Sequence, residues 1–437
     1  MAKASRELRL FYSVFKDLRT STKAEVVDIG VTEEELSLRP VVSLSDTSSV
    51  SLLETYGRQL GRKAEDREIW GQVLSIDEDA DYGFDIKLSY FLDGIQRTSW
   101  VANVPVLKTG ERVPVSVGQV AAAILHRENR HLKIIRKYAR NNFSVFLPFE
   151  FMGEVTDIEA VRKWVAKGMP TIGNLKWRDT SYDPAPVREG GKVVYDEKGN
   201  EKHDRIPTRE LRKNLTDINF FRNLSRRWNR RHRAILEQEL HDDFARDFSC
   251  KKAKEKEHNF LVIDGVITDV RGPVLQFAIG ISKSFNTRFL NAKEHNKVLQ
   301  LKQFQRSPVF LLHSPPDESS LESGTSADDI VRFSGKRASW YVRLRTVKYS
   351  SPTYGLVRIE LLPDVLPNKG SADLWGEEDT RFVDAITQAV IRERLPTSFP
   401  DKRWHNLLYP IFMCEEYLRS MIYPHTTVKY ISVTPEV

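Results

Sequence analysis

The chain has 437 residues, 40% of them hydrophobic and 29% charged, with a formal net charge of +7. These values fit a soluble globular protein with one large domain carrying insertions, or with two domains. No stretch approaches the roughly 20 apolar residues of a membrane span, and the two cysteines form no CxxC pair. The composition therefore excludes a disulfide scaffold and a thiolate zinc site, and it indicates a reducing, cytoplasmic compartment.

The N-terminal segment lacks the apolar block and cleavage site of a secretion signal. It is predicted to be an amphipathic helix because its apolar residues fall at helical spacing: Leu8, Phe11, Phe15 and Leu18. This stripe either docks on a partner or packs on its own domain. Residues 40–51 are predicted to be irregular and residues 52–70 helical, so residues 1–70 form a separate N-terminal region in this interpretation.

Two strand-like runs follow, residues 83–97 and residues 113–127, separated by a turn at residues 109–112. They predict an antiparallel pair. The apolar part of the first run, "LSYFL", ends in Asp93-Gly94. A buried strand has no structural need to finish on a carboxylate, so Asp93 is a candidate functional residue.

The middle of the chain is predicted to contain an insertion at about residues 150–220, with a helix at residues 157–169 and an exposed hairpin at residues 190–205. A second insertion, rich in Pro, Ser and acidic residues, covers about residues 314–330 and is predicted to be mobile. No composition shift divides the chain into clearly separate domains.

A long helical tract is predicted for residues 208–248, with one apolar side. Within it, residues 222–233 hold six arginines: Arg222, Arg226, Arg227, Arg230, Arg231 and Arg233. Guanidinium groups suit bidentate contact with phosphate, so these residues predict contact with DNA or another acidic partner. The alternative is a solvated helix face balanced by the acidic residues that follow, and the sequence leaves both interpretations open.

A second apolar strand, "NFLVID", ends in Asp264-Gly265 and is followed by a strand at residues 274–285. The runs "ASWYVRLRTV" and "YGLVRIELLP" then predict a hairpin. Two helices are predicted at about residues 378–394 and 407–421, before a short terminal strand at residues 427–435.

The two Asp-Gly strands suggest a metal site. Two neighbouring strands would bring Asp93 and Asp264 together, and like charges that close require a cation or a proton between them. Carboxylates suit hard cations such as Mg²⁺ or Mn²⁺. Antiparallel strands, a helical crossover and a parallel strand bearing a second acid form the layout of ribonuclease-H-like nucleases. Asp-Gly is also a common turn dipeptide, so a structural role for each aspartate is the competing interpretation.

The order of these pieces resembles the NurA nucleases, over roughly residues 85–425. Four segments carry the resemblance in the first part of the chain: "FLDGIQRTS", "RRHRAILEQEL", "FLVIDGVI" and "AIGISKS". Three more follow in the last third: "SWYVRLR", "YGLVRIELLP" and "LLYPIFMCEEYLRS". Each motif is short, and their order and spacing carry the similarity.

The resemblance implies roles for individual residues. Asp93 and Asp264 would be metal ligands, and Glu237 would be the third carboxylate, with Glu239 as its alternative. Lys283 would stand beside the scissile phosphate as a fixed positive charge, and Tyr409 matches the family's C-terminal tyrosine. The family's histidine eight residues after that tyrosine is replaced here by Tyr417. We expect Glu416 to take its place as a metal ligand, or the metal site to be weaker.

The resemblance further implies an α/β, ribonuclease-H-like mixed sheet flanked by helices over residues 71–437. The expected activity is cleavage of DNA with Mn²⁺ or Mg²⁺ by a homodimer bound to a HerA-type hexameric ATPase, in end processing or anti-phage defence. The expected DNA-binding residues are Arg226, Arg227, Arg230, Arg231, Arg233 and Tyr409. No GxxxxGK[ST] motif is present, so ATP hydrolysis is assigned to the partner.

Two rival hypotheses remain at this stage. The first is a catalytically silent adaptor that keeps the fold and the ATPase contact but has lost cleavage through the altered C-terminal site. The second is a basic nucleic-acid-binding module without enzymatic ancestry, which predicts no close pairing of Asp93 with Asp264.

Overall fold

The computed structural model describes most of the chain. The described residues are 6–26, 49–52, 73–168, 176–189, 192–197, 201–249, 259–265, 267, 277–283, 290, 292–313, 336–346, 351–368, 375–396 and 404–428. None of the helices within these ranges is both long enough and apolar enough to cross a membrane.

The strands of the described residues are numbered in chain order. They are β1 (Glu25–Val26), β2 (Ser49–Leu52), β3 (Leu74–Ser75), β4 (Lys87–Pro105), β5 (Arg112–Glu128), β6 (His131–Leu147), β7 (Lys176–Asp179), β8 (Tyr182–Pro186), β9 (Arg188–Glu189), β10 (Lys192–Val193), β11 (His203–Arg205), β12 (Asn259–Asp264), β13 (Ala278–Ser282), β14 (Gln305–Arg306), β15 (Phe310–His313), β16 (Lys336–Arg343) and β17 (Leu356–Leu361).

The helices are numbered in the same way. They are α1 (Arg6–Thr22), α2 (Phe149–Val155), α3 (Glu159–Ala166), α4 (Thr208–Lys213), α5 (Ile218–Ser249), α6 (Ala292–Leu299), α7 (Glu377–Arg392) and α8 (Tyr409–Met421). Short 3₁₀ turns lie at Pro363–Val365 and Trp404–Asn406.

Thirteen of the described strands form one mixed sheet in the order β2-β15-β16-β17-β13-β12-β4-β5-β6-β7, with β1, β3 and β14 paired at its margins. The predicted α/β fold is therefore confirmed. Strands β4, β5 and β6 form an antiparallel meander. The β5–β6 turn contains Asn129 and Arg130 at φ 49° and 67°, the paired positive angles that match the twist of a two-residue hairpin.

The crossover from β6 to β12 creates the part of the sheet that matters for function. The chain leaves β6, runs through the insertion and α5, and returns as β12, which pairs in parallel with both β4 and β13. The order β6-β5-β4-β12-β13 is the ribonuclease-H-like layout expected from the sequence. The predicted hairpin of β16 and β17 and the two C-terminal helices, α7 and α8, are also present.

Helix α5 lies across β4, β5 and β6. The predicted apolar side of the helix is buried against these strands, with the following side chains in the core: Phe221, Leu224, Trp228, Leu236, Leu240 and Phe244. Burial of this face fixes the rotation of α5 about its axis, and so determines which of its polar residues point toward the sheet.

Several sequence predictions differ from the structure. Residues 49–51, assigned to an irregular segment, and Leu52, the first residue of the predicted helix at residues 52–70, form β2, which pairs with β15 because its alternating residues complete a sheet edge. The helical tract is interrupted at residues 214–217, between α4 and α5. Residues 427–428, the start of the predicted terminal strand, lie in a helical turn. The rest of the predicted helix at residues 52–70 and the loop at 314–330 lie outside the described residues.

The N-terminal helix packs on the body of the protein. Phe15 and Leu18, two members of the predicted stripe, are buried in a core cluster with residues of β4, β5 and α3, and the Trp164 indole donates to Asp17 at 3.1 Å. Strand β1 pairs with β4. Residues 6–26 thus contribute to the main sheet and its core, which favours the alternative that this helix serves its own domain.

Candidate metal centre

Asp93 and Asp264 lie side by side on the two central parallel strands. The preceding residues, Leu92 and Ile263, are register partners, so the aspartates occupy equivalent positions. Strand β12 ends at Asp264, followed by Gly265 at φ 144°, as predicted. Strand β4 instead continues to Pro105, so the expectation that Asp93 closes its strand was wrong. The long β4–β5 ladder keeps β4 extended past its Asp-Gly pair.

The third carboxylate of the cluster comes from helix α8. Asp93, Asp264 and Glu415 each offer an oxygen, and these atoms all lie within 4.8 Å of one another. Helix α8 is held over Asp93 because Cys414 is fully buried and its thiol approaches the carbonyl of Ala123 at 3.6 Å, and Ala123 is the β5 partner of Asp93. The predicted proximity of the two aspartates is confirmed.

The expectation that Glu416 joins this cluster was wrong. Its side chain is exposed and accepts a hydrogen bond from Arg419 at 2.8 Å, whereas Glu415 is buried. The two residues are neighbours on α8, and successive helical side chains point about 100° apart. Burial of Cys414 and Leu418 turns Glu415 toward the sheet and Glu416 toward solvent.

Lys283 supplies a positive charge within the cluster. It follows β13, the strand beyond β12, and its Nζ lies 2.9 Å from Oδ1 of Asp264. Both side chains are almost fully buried. The lysine predicted to stand beside the substrate phosphate is therefore positioned by an ion pair with one of the candidate metal ligands.

Glu237 of α5 borders the cluster and is packed against Gly94. A Cβ atom added to Gly94 would lie 2.1 Å from Oε1 of Glu237, so only glycine leaves room for this carboxylate beside Asp93. Arg233 holds it from one turn away, with Nε 3.5 Å from Oε1 of Glu237 and Nη1 3.3 Å from the Gly94 carbonyl. Glu239, the alternative, contacts Arg140 at 3.4 Å on the exposed side.

The electrostatics of the cluster are unfavourable in the absence of a cation. Burial, followed by the negative charges of Asp264 and Glu415, raises the pKa of Asp93 well above its usual value, and the positive charge of Lys283 opposes this only in part. The pKa of Cys414 is also raised, first by burial and then by Asp93. Three carboxylates and one ammonium give −3 + 1 = −2, the charge that one divalent cation neutralises.

The residues present fit a hard divalent cation. Oδ2 of Asp93 is buried and has no hydrogen-bond partner among the described residues, and a buried carboxylate oxygen in that state is costly unless a cation or proton satisfies it. All three candidate ligands are carboxylates, the donor type that Mg²⁺ and Mn²⁺ prefer. The site therefore suits one of these ions in both charge and ligand chemistry.

The arginines predicted to bind DNA fall into two groups. Arg227 pairs with Asp183 at 2.8 Å, Arg231 pairs with Glu201 at 2.8 Å, and Arg233 holds Glu237. These three contact acidic residues of the protein, and Arg226 donates to Oδ1 of Asn223 at 3.2 Å. The pKa of Arg226 and of Arg230 is lowered by burial, and both are half-buried on α5.

The two tyrosines discussed from sequence lie on α8. Tyr409 is its first residue, with a side chain 42% exposed, and its backbone N–H donates to the Glu393 carbonyl. Tyr417 is half-buried against the main core cluster. The exposed ring of Tyr409 is available to a ligand, whereas the contacts of Tyr417 are those of a packing residue.

No protein-family model matches this chain, and no curated protein matches it.

Proposed function

We propose that this protein is a deoxyribonuclease that hydrolyses the phosphodiester backbone of DNA with Mn²⁺ or Mg²⁺. The observation that carries the proposal is the convergence of Asp93, Asp264 and Glu415, from three separate elements, into one buried cluster with a net charge of −2. Nucleases with a ribonuclease-H-like layout place their metal ligands at the same junction of the central parallel strands.

Each residue has a distinct task in this proposal. Asp93, Asp264 and Glu415 hold the cation, which when bound supplies a Lewis acid and an activated water for attack on phosphorus. Lys283, fixed by Asp264, offers positive charge where the phosphate becomes more negative during the reaction. Glu237 lies beside the ligands and accepts a proton or orients water there, while Arg233 and Gly94 set its position.

The rival hypothesis of a silent adaptor depends on the loss of the family's histidine at position 417. Glu415, two residues earlier on the same helix, brings a carboxylate to the cluster from this segment. A carboxylate is a better ligand than histidine for Mg²⁺ and an acceptable one for Mn²⁺. The substitution at Tyr417 therefore does not leave the C-terminal segment without a metal ligand, which favours the enzyme over the adaptor.

The proposed substrate and partner follow the resemblance to the NurA nucleases. DNA would lie against α5, along which Arg226 and Arg230 are half-buried, and would approach the exposed ring of Tyr409. A HerA-type ATPase hexamer is the proposed partner and a homodimer the proposed assembly, serving end processing or anti-phage defence.

The proposal is tested by incubating the purified full-length protein with linear double-stranded DNA in Mn²⁺, in Mg²⁺ and in EDTA, with and without a HerA-type ATPase. We expect cleavage with at least one cation and none in EDTA. Isothermal titration with Mn²⁺ in the absence of DNA should detect binding that Asp264→Asn abolishes. Absence of cleavage under every condition, together with normal Mn²⁺ binding, would favour the adaptor; absence of both would refute the metal site.

A further inference from the structure

A second cluster of charged side chains lies on the other flank of α5, between that helix, β7 and the insertion. Ser144 and Phe146 of β6 are register partners of Lys176 and Arg178 of β7, and partner residues in a parallel pair point to the same face. His232 of α5 contacts both β6 residues, with Nδ1 3.4 Å from Oγ of Ser144 and its ring stacked on Phe146. Lys176 and Arg178 therefore face His232.

This cluster has an excess of positive charge. Lys176, Arg178 and Arg231 contribute three positive charges, and Glu201, which pairs with Arg231 at 2.8 Å, contributes one negative charge, so the sum is 3 − 1 = +2. Asp179, the chain neighbour of Arg178, points to the opposite face of the sheet, where its oxygens accept from the backbone N–H groups of Phe149, Glu150 and Ser181. The segments that adjoin this part of the chain in sequence and lie outside the described residues, 169–175, 190–191 and 198–200, contain no Asp or Glu.

Within the part of the chain that the structure describes, three buried polar groups of this cluster have no hydrogen-bond partner: Nε2 of His232, Nε of Arg178 and Nε of Arg231. His232 is only 9% exposed. When the Ser144 hydroxyl donates to Nδ1, Nε2 carries the proton and points into the cluster as a donor. Buried donors in a native protein are normally satisfied, so a group bearing acceptor oxygens is needed here.

The pKa of His232 reflects the same excess of positive charge. Burial, and then the positive charges of Arg178 and Lys176, lowers its pKa to about 3. The imidazole is therefore neutral near pH 7. It adds a hydrogen-bond donor to the cluster without adding charge.

We propose that Lys176, Arg178 and His232 form a binding site for a phosphate group. A phosphate dianion neutralises the +2 charge and offers several acceptor oxygens, which match a guanidinium fork, an ammonium and an imidazole N–H. The site is separate from the carboxylate cluster, since His232 and Glu237 are about 7.5 Å apart along α5 and roughly 140° apart around it. It does not depend on the proposed nuclease activity.

The ligand is either free inorganic phosphate or the terminal phosphate of a nucleic acid. Burial of His232 and of Arg231, whose side chain is 11% exposed, leaves a narrow site that suits a terminal phosphate better than the continuous backbone of a strand. An internal phosphodiester carries one charge and two flanking sugars, and it matches neither the charge nor the restricted access.

The test uses the full-length protein in EDTA, so that the carboxylate cluster cannot bind phosphate through a cation. Inorganic phosphate is titrated by calorimetry into the wild type, Arg178→Gln, Lys176→Gln and Arg136→Gln. Arg136 is an exposed arginine on β6 and serves as the matched control. We expect binding to weaken by at least about tenfold in Arg178→Gln, severalfold in Lys176→Gln and not at all in Arg136→Gln.

Lys176 is exposed, so its substitution leaves the fold intact and decides the question if Arg178→Gln is poorly folded. Competition by a 5′-phosphorylated oligonucleotide but not by its 5′-hydroxyl counterpart assigns the site to nucleic-acid ends. Competition by neither oligonucleotide, with phosphate still bound, assigns it to a free anion, and equal competition by both would contradict the exclusion of internal phosphodiesters. No phosphate binding by the wild type, or binding unchanged in Lys176→Gln and Arg178→Gln, would overturn the proposal.

Discussion

Two clusters of buried charge occupy opposite faces of the same sheet. The carboxylate cluster comprises Asp93, Asp264, Glu415 and Lys283. The arginine network comprises Arg337, Arg358 and Glu360, all at most 3% exposed. Ile281 is the register partner of both Asp264 and Ile359, so Glu360, the residue after Ile359, points to the other face.

The difference between them is how well the charges are matched. In the arginine network, Oε1 of Glu360 lies 2.6 Å from Nη2 of Arg358 and Oε2 lies 3.6 Å from Nη1 of Arg337, so the carboxylate is held between two cations. In the carboxylate cluster, three anions share one lysine. Burial of charge alone does not indicate a functional site; an unmatched excess of one sign does.

The largest expected effect is on cleavage by Asp264→Asn. The amide keeps the shape of the carboxylate but lacks the charge that holds a cation, so we expect DNA cleavage to fall by at least about a thousandfold. DNA binding is followed separately by fluorescence anisotropy at two salt concentrations, because arginine contacts with the backbone would persist. Digestion at the wild-type rate would show that Asp264 is a turn residue.

Glu360→Gln should lower stability and leave cleavage nearly unchanged. It removes the negative charge between two buried guanidinium groups, so we expect the free energy of unfolding to fall by about 3 kcal/mol. Cleavage per folded molecule should stay within about twofold of the wild type. Urea unfolding measures the first quantity, and cleavage assayed well below the unfolding midpoint measures the second. A Glu360→Gln protein that is stable but inactive would show that the functional site includes residues on the other face of the sheet.

Gly94→Ala tests whether Glu237 is positioned by the absence of a side chain. The new methyl group would overlap the Glu237 carboxylate, which is the end of a flexible side chain and moves at little cost in stability. We expect cleavage to drop by about ten- to a hundredfold with a melting temperature close to that of the wild type. Gly110→Ala, in the β4–β5 turn, provides a control away from the cluster: a Cβ there meets no atom within 4 Å, and rates are compared per folded molecule because alanine at φ 110° is strained. Equal activity in the two variants would argue that the position of Glu237 is unimportant.

Asp93→Asn is expected to stabilise the metal-free protein by about 1 kcal/mol, because it removes a buried anion with an unpaired oxygen. The pKa of Asp93 is raised in the folded state, so ionisation of this carboxyl lowers the stability progressively as the pH rises from the usual pKa to the shifted one, and the loss is constant above that. The gain from Asp93→Asn should thus grow with pH and vanish below the usual pKa of 3.8. Thermal unfolding in EDTA from pH 4 to pH 8 measures this trend, and a gain independent of pH would contradict it.

Sequence patterns predicted the elements that local chemistry determines. The apolar runs before Asp93-Gly94 and Asp264-Gly265 predicted β4 and β12, although β4 continues beyond its Asp-Gly pair, and helical spacing predicted α5 and α8. Strand β6 was not predicted, because the first half of its sequence is rich in charged residues and lacks an apolar pattern. The strand forms because it pairs with β5 along a long ladder. The acidic partners of Arg227 and Arg231 come from the insertion, at a distance along the chain that no local pattern reveals.

The site itself was predicted only in part. Asp93, Asp264 and Lys283 lie where their strands place them, since register alone brings strand residues together. The choice between Glu415 and Glu416 depends on the rotation of α8, which is set by the burial of Cys414 and Leu418. The spacing of Cys414 and Leu418 was a usable signal, because it marks the buried side of α8. Glu415 lies nearer to that side of the helix than Glu416 does.

The most direct test of the central claim compares Glu415→Gln with Glu416→Gln. The two residues are adjacent on one helix and identical in chemistry, and only Glu415 reaches Asp93 and Asp264. In Mn²⁺-dependent cleavage of linear DNA by the purified proteins, we expect Glu415→Gln to lose at least about a hundredfold in rate and Glu416→Gln to retain the wild-type rate. Loss of activity in Glu416→Gln with full activity in Glu415→Gln would contradict the account.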